Sequence, residues 1–255
     1  AATGGFMAGY SFALAFAITG MFYLLTLLLV LIKIQDIPPT PEGEAEIRAK
    51  VSFKDMLISL KEARFAKICF LVFLIAFVSA QLITGFSLHG IKYMGFAQYQ
   101  IGWLFALDGL VVVLLQYHAA KIMNRHKLTT SLVAGSVLYG LGYIILGRAQ
   151  SFVTAVVAIV LSSIGQTAVS PGQNSLIANI APGKNRGRFL GMQAMAIQAG
   201  AGLGMVSAGV FMEYLSPVSP ALPWLIIGLI CFLTALGFYR MRNDFTDEEN
   251  GIVKS

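Results

Sequence analysis

Charge is scarce in this chain. Only 12% of its 255 residues are Asp, Glu, Lys or Arg, about half the roughly 25% usual in soluble domains. That supply does not cover a water-facing surface. Cysteine is nearly absent too: Cys69 and Cys231 both lie in apolar runs and imply neither a disulfide framework nor a metal site. The three histidines, His89, His118 and His126, share no face. No His/Asp/Glu cluster, metal-ligand spacing or facing Ser/His pair occurs, so no catalytic residue, metal or cofactor is expected. What the chain does have is hydrocarbon: 57% of its residues are apolar and the mean hydropathy is +0.76. Soluble, disordered, nucleic-acid-binding and disulfide-scaffold classes are excluded. The lipid bilayer remains as solvent.

A bilayer core of ~30 Å takes about 20 apolar helical residues to cross. Seven stretches qualify, with cores at 11–32, 68–90, 101–122, 128–147, 152–177, 189–212 and 223–239. They are read as helices because lipid offers no partner to an unpaired backbone N–H or C=O. The fold class is therefore an all-α integral membrane bundle. Sixteen of the 18 basic residues fall on four alternate connectors: 33–67, the turns around 125 and 186, and the tail from Arg240. The intervening connectors hold only Lys92 and Arg148. Positive residues favour the inner side, so the 33–67 segment and the C-terminus are expected in the cytoplasm. The net charge of +6 is then a topology signal, and no nucleic-acid partner is implied.

Residues 34–50 are rich in Pro and charge and read as a linker. Ser52 with Asp55 suggests a helix start, and Phe53, Met56, Leu57 and Leu60 share a face that suits the inner leaflet. A solvated connector fits this stretch equally well. The tail 243–255 is polar and expected to be disordered.

Seven helices also describe a G-protein-coupled receptor. The triplet resembling Asp-Arg-Tyr, the stretch resembling Asn-Pro-x-x-Tyr and the paired outer cysteines of such receptors are missing. A sharper signal lies in residues 171–191. Pro171 bends one helix near its inner end, Pro182-Gly183 stops it, and Arg186-Gly187-Arg188 opens the next one. This P-x-x-x-R-G-R-x-x-G string resembles the loop between helices ten and eleven of the major facilitator superfamily. The resemblance covers almost the whole chain. It implies that residues 1–32 are the end of helix five plus helix six of an N-terminal bundle. Residues 33–67 become the cytoplasmic central loop, 68–242 the C-terminal six-helix bundle (helices seven to twelve), and 243–255 a cytoplasmic tail. A chain opening Ala1-Ala2-Thr3 is then expected to be the C-terminal part of a roughly twice longer protein, with the N-terminal half as its partner. One motif departs from the family. The basic loop motif between helices eight and nine is reduced to Ala120, Asn124 and Arg125, with an amide where the family has an acid. The acid that a charge-based gate at that turn would use is replaced by Asn124.

The resemblance implies a substrate site near the midplane, with helices seven, eight, ten and eleven on the cavity. Their polar residues include Gln81, Thr84, Gln116, Gln166, Thr167, Gln193 and Gln198, amides and hydroxyls that donate and accept without charge. Helix-packing glue is the alternative role for each amide. Asp108 is the only acid inside these spans, ~10–11 Å from the outer end at 1.5 Å per residue. An ionised carboxylate there costs several kcal/mol unless paired or wetted. A carboxyl group that changes protonation as the cavity wets is what a proton-coupled carrier needs. Asp108 held by neighbouring polar side chains, with no transport role, is the plainer alternative. Gly200 and Gly204 stand four apart and let two backbones approach. Pro171, Pro182, Arg186, Gly187, Arg188, Asn124 and Arg125 form the candidate cytoplasmic gate and hinge. The expected protein is a secondary carrier of small solutes in the cytoplasmic membrane. Its favoured version is proton-coupled efflux of drug-like or amphiphilic compounds, with a sugar or metabolite importer as runner-up.

Overall fold

Apolar length alone accounts for the elements. The computed structural model describes residues 12–33, 57–123, 126–181 and 186–252. They form α1 (Phe12–Lys33), α2 (Ala63–Lys92), α3 (Gln98–Met123), α4 (Leu128–Gly147), α5 (Phe152–Ile180), α6 (Arg186–Val210) and α7 (Leu222–Met241). A π-helical turn, Phe211–Leu215, prolongs α6. Six helices are long and apolar enough to cross a membrane, and α1 contributes the shorter apolar stretch Phe16–Ile32. The stretches 34–56, 124–125 and 182–185 lie outside the described residues. The linker, most of the candidate surface helix, Asn124, Arg125 and Pro182 fall there.

Local chemistry sets the ends. Ser151 starts α5 as a capping box: its Oγ accepts Thr154 N–H at 3.2 Å, and Thr154 Oγ1 accepts Ser151 N–H at 3.1 Å. Pro223 sits in the first turn of α7, where its missing N–H is not needed. Gly95, at φ 67°, makes the left-handed turn between α2 and α3. Pro171 lies within α5 without ending it.

The helices pack in the order α3–α5–α4–α7–α2–α6. Glycines make these joints. A Cβ on Gly165 would lie 2.6 Å from Gly135 O, one on Gly142 2.8 Å from Ser162 Cβ, and one on Gly140 2.9 Å from Cys231 Cβ. Against α2, a Cβ on Gly200 or Gly204 would collide with the carbonyl oxygens of Phe73 and Phe77. Two apolar cores result. One, around Phe65, Leu132, Leu176, Phe189 and Phe238, lies at the end that carries the basic residues. The other, around Phe86, Leu104, Tyr143, Ile159 and Trp224, lies at the far end. The two end helices are the barest: α3 buries only Ile101, Gly102, Leu104 and Met123, and α6 leaves Leu203, Met205 and Val206 exposed. Nearly all described side chains of α1 are exposed.

The tail differs from expectation. Residues 243–252 fold back on the basic end as a clasp. Thr246 and Glu249 cap each other, with Thr246 N–H on Glu249 Oε2 at 2.8 Å and Glu249 N–H on Thr246 Oγ1 at 3.2 Å. The turn closes with Ile252 N–H on Asp247 O and Gly251 N–H on Glu248 O. Gly251 takes φ 80°, as a Schellman ending requires. Asn250 is fully buried and caps α4 from outside. Its backbone O accepts Leu128 N–H at 3.0 Å, and its Oδ1 accepts Thr129 Oγ1 at 2.9 Å. Arg64 of α2 donates to Asp244 O at 3.1 Å, Asn179 of α5 donates to Glu249 O at 3.1 Å, and Lys127 meets Asp247 at 2.9 Å. Phe245 enters the adjacent core. A polar tail reads as loose because its anchors are distant in sequence.

Candidate functional site

Of the six helices packed together, the one with the smallest buried face carries the acid. Asp108 sits half-buried on α3 and faces α5, where Ser163 is fully buried. Ser163 Oγ stands 2.6 Å from Asp108 Oδ1 and 2.7 Å from Ile159 O. Ile159 O also accepts the hydroxyl of Ser162 at 2.9 Å. The spacing explains the pairing. Leu104 precedes Asp108 by four residues, and Val156 precedes Ser163 by seven, so each pair lies on one helix face. Those faces meet along one seam. One turn nearer the far end, the seam opens into a groove of about 380 Å³ lined by Tyr99, Trp103, Leu104, Leu107, Phe152 and Val156. Tyr99 and Trp103 are exposed. An aromatic groove with a carboxyl group beside its inner end can hold an apolar molecule with a polar or cationic group.

The other candidate residues fall into three settings. Gln81 is fully buried between α2 and α6, where its Nε2 donates to Gly204 O at 2.9 Å and Ser207 Oγ at 2.8 Å. Gln193 is buried at the basic end and donates to Asn174 Oδ1 at 2.6 Å, joining α6 to α5. Thr167 is buried and donates to Ile164 O at 2.7 Å. Gln116 and Gln198 are exposed on the two end helices, and Thr84 is half-buried. Gln166 is half-buried, with its Oε1 buried and unpartnered among the described residues.

At the basic end Pro171 is half-buried in α5. Arg186 opens α6 and donates across the turn to Ala178 O at 3.2 Å. Gly187 has no neighbour within 4 Å of a Cβ among the described residues, and Arg188 is half-buried. The π-turn places Glu213, exposed, at the far mouth of α6. The span therefore runs one turn beyond the expected end at 212. Sequence reasoning missed Ser163, Asn174 and Ser207. A serine or asparagine in a small-residue helix carries no signal until its partner, here 55, 19 or 126 residues away, is seen.

Comparison with known proteins points one way. The model of the Major Facilitator Superfamily matches residues 68–254. A multidrug resistance protein MdtH from Sodalis glossinidius (strain morsitans) is 28% identical over 142 residues, 55% of this chain and 35% of that protein. MdtH from Klebsiella pneumoniae (strain 342) is 28% identical over 141 residues, 54% of this chain and 35% of that protein. The match thus spans about a third of these curated relatives. A bacterial homolog of the human lysosomal transporter Spinster, inward-facing and unoccupied, superposes with a TM-score of 0.61 at 18% identity, covering 76% of this chain and 44% of that one. A POT family transporter in complex with a thioalcohol-conjugated peptide gives 0.59 at 14% identity, covering 94% and 54%. These likenesses carry the fold. With the family model matched across the whole six-helix bundle, the enzyme and receptor readings are set aside: this chain belongs to the Major Facilitator Superfamily.

Proposed function

We propose that this chain is half of a secondary carrier that exports drug-like or amphiphilic compounds across the cytoplasmic membrane in exchange for protons. The two bundles rock around a site that opens to either side in turn. The basic end faces the cytoplasm, following the positive-inside asymmetry. The N-terminal bundle covers the open faces of α3 and α6, which is where Gln116 and Gln198 lie.

One observation carries this reading: Asp108 sits on the seam beside an aromatic groove, on the helix with the smallest buried face of the six packed together. A carboxyl group at that depth is tolerated as an ion only when paired or wetted. Opening the groove to one side or the other therefore changes its preference for the proton. Aromatic faces suit flat, apolar or cationic molecules. The multidrug resistance relatives agree with such a substrate class.

The test uses the full-length carrier in vesicles, an amphiphilic fluorescent dye and an imposed pH gradient. Asp108→Asn is expected to abolish proton-linked dye movement while leaving membrane insertion and yield intact. Dye movement with unchanged pH dependence in that variant would remove Asp108 from the coupling step.

A further inference from the structure

A serine hydroxyl has one hydrogen, and Ser163 Oγ stands within bonding distance of two acceptors, Asp108 Oδ1 at 2.6 Å and Ile159 O at 2.7 Å. Both contacts are full hydrogen bonds only when Asp108 carries a proton and donates it to Ser163 Oγ, which then donates to Ile159 O. When Asp108 is ionised it accepts only, and Ser163 must turn its hydrogen from Ile159 to the carboxylate.

We infer that Ser163 is a positioning residue whose hydroxyl reverses direction with each proton bound or released at Asp108, and so sets how α3 is held against α5. This rests on the reading of Asp108 as the coupling acid. The balance is simple: one proton enters or leaves at the carboxyl group, no covalent bond to carbon changes, and the serine hydrogen rotates about its C–O bond.

Three features make the reversal cheap and give it a mechanical output. First, Ile159 O keeps the hydroxyl of Ser162 at 2.9 Å, so no buried carbonyl is stranded when Ser163 turns away. Second, among the described residues no other titratable group bonds to Asp108, and His89 of α2 packs on Tyr93 and Trp224 instead. The span of α5 contains none, and the titratable side chains of α4 are Tyr139 and Tyr143. Their hydroxyls donate toward α2, to Ser79 Oγ at 3.0 Å and Val78 O at 3.1 Å. On α3 the nearest are Tyr99 and Tyr117, nine residues away on either side, or ~14 Å along the helix. Third, α5 is locked to α4 by backbone contact at Gly135 and Gly165, whereas α3 has a small buried face. A change at the seam therefore moves α3 more readily than α5. A bond to an ionised acceptor is roughly twice as strong as a neutral one, so α3 is gripped harder with the proton off.

The experiment is pH-difference infrared spectroscopy of the full-length carrier in lipid vesicles, without substrate. It reads the carbonyl stretch of protonated carboxylic acids. Asp108→Asn identifies the band of Asp108. In Ser163→Ala that band is expected to change frequency and its titration midpoint to move to higher pH, on the order of one pH unit, because the ionised form loses its donor. Ser163→Thr keeps the hydroxyl and is expected to restore both. Ser136→Ala, an equal change on α4 whose hydroxyl has no hydrogen-bond partner among the described residues, is expected to leave the midpoint in place and serves as the folding control. A Ser163→Ala midpoint and frequency equal to those of the unaltered carrier would overturn the inference and leave Asp108 standing. Absence of any band lost in Asp108→Asn would overturn the coupling role of Asp108 itself.

Discussion

The contact between α2 and α6 offers a measurement with its own control. Replacing Gly200 by Ala adds one methyl group at a point occupied by Phe73 O, with Ala76 Cβ 3.1 Å away. A carbonyl oxygen in a helix has no rotamer to retreat into, so the two helices must part along their contact. Overpacking of this kind costs roughly 1–3 kcal/mol. Alanine also gains roughly 0.5–1 kcal/mol over glycine as a helix former. Gly202, two residues on in the same helix, has nothing within 4 Å of its Cβ position among the described residues, so Gly202→Ala keeps the gain without the collision with α2. The propensity term cancels between the two variants, and their stabilities should differ by roughly 1–3 kcal/mol. The assay is thermal melting of the full-length carrier in detergent at one fixed scan rate, since such unfolding is often irreversible. Gly202→Ala is expected to melt at or above the unaltered protein, and Gly200→Ala several degrees below. Equal melting of the two variants would refute the close backbone approach.

Two further predictions concern the basic end. Asn250→Ala removes the Oδ1 bonds to Thr129, a loss of about 0.5–2 kcal/mol by analogy with helix caps; hydrogen exchange at Leu128 and Thr129 should quicken while that of Tyr143 stays slow, and unchanged exchange at both would show that the clasp holds nothing. Single cysteines at positions 150 and 184, in a carrier with Cys69 and Cys231 replaced, should be labelled only from outside and only from inside respectively, and the reverse pattern would invert the orientation.

Much of the architecture is visible without coordinates because lipid imposes one rule throughout. Seven apolar runs of sufficient length sit between alternating basic connectors, and the helices start and stop within a few residues of those runs. Asp108 stands out for the same reason, as a charge where charge is expensive. What escapes the sequence is pairing across distance. Gln81 and Gln193 read as cavity candidates beside Gln116 and Gln198, and nothing local separates them. In the structure the first two are spent on Gly204 and Asn174, whereas the second two are exposed. The tail 243–252 has the composition of a loose end, and its order comes from Arg64, Thr129 and Asn179, contributed by three separate helices.

The glycine joints of α4 make it the stiff centre of the bundle. On one side this helix meets α5 through Gly135 and Gly142, and on the other it meets α7 through Gly140 and Gly147, the last within 2.5 Å of Trp224 Cβ for an added methyl group. Main chain resting on main chain or on the first atom of a side chain has no soft layer to yield, so α4, α5 and α7 behave as a keel. The margins are softer, because α3 and α6 carry long exposed side chains that can change rotamer where the glycine contacts cannot.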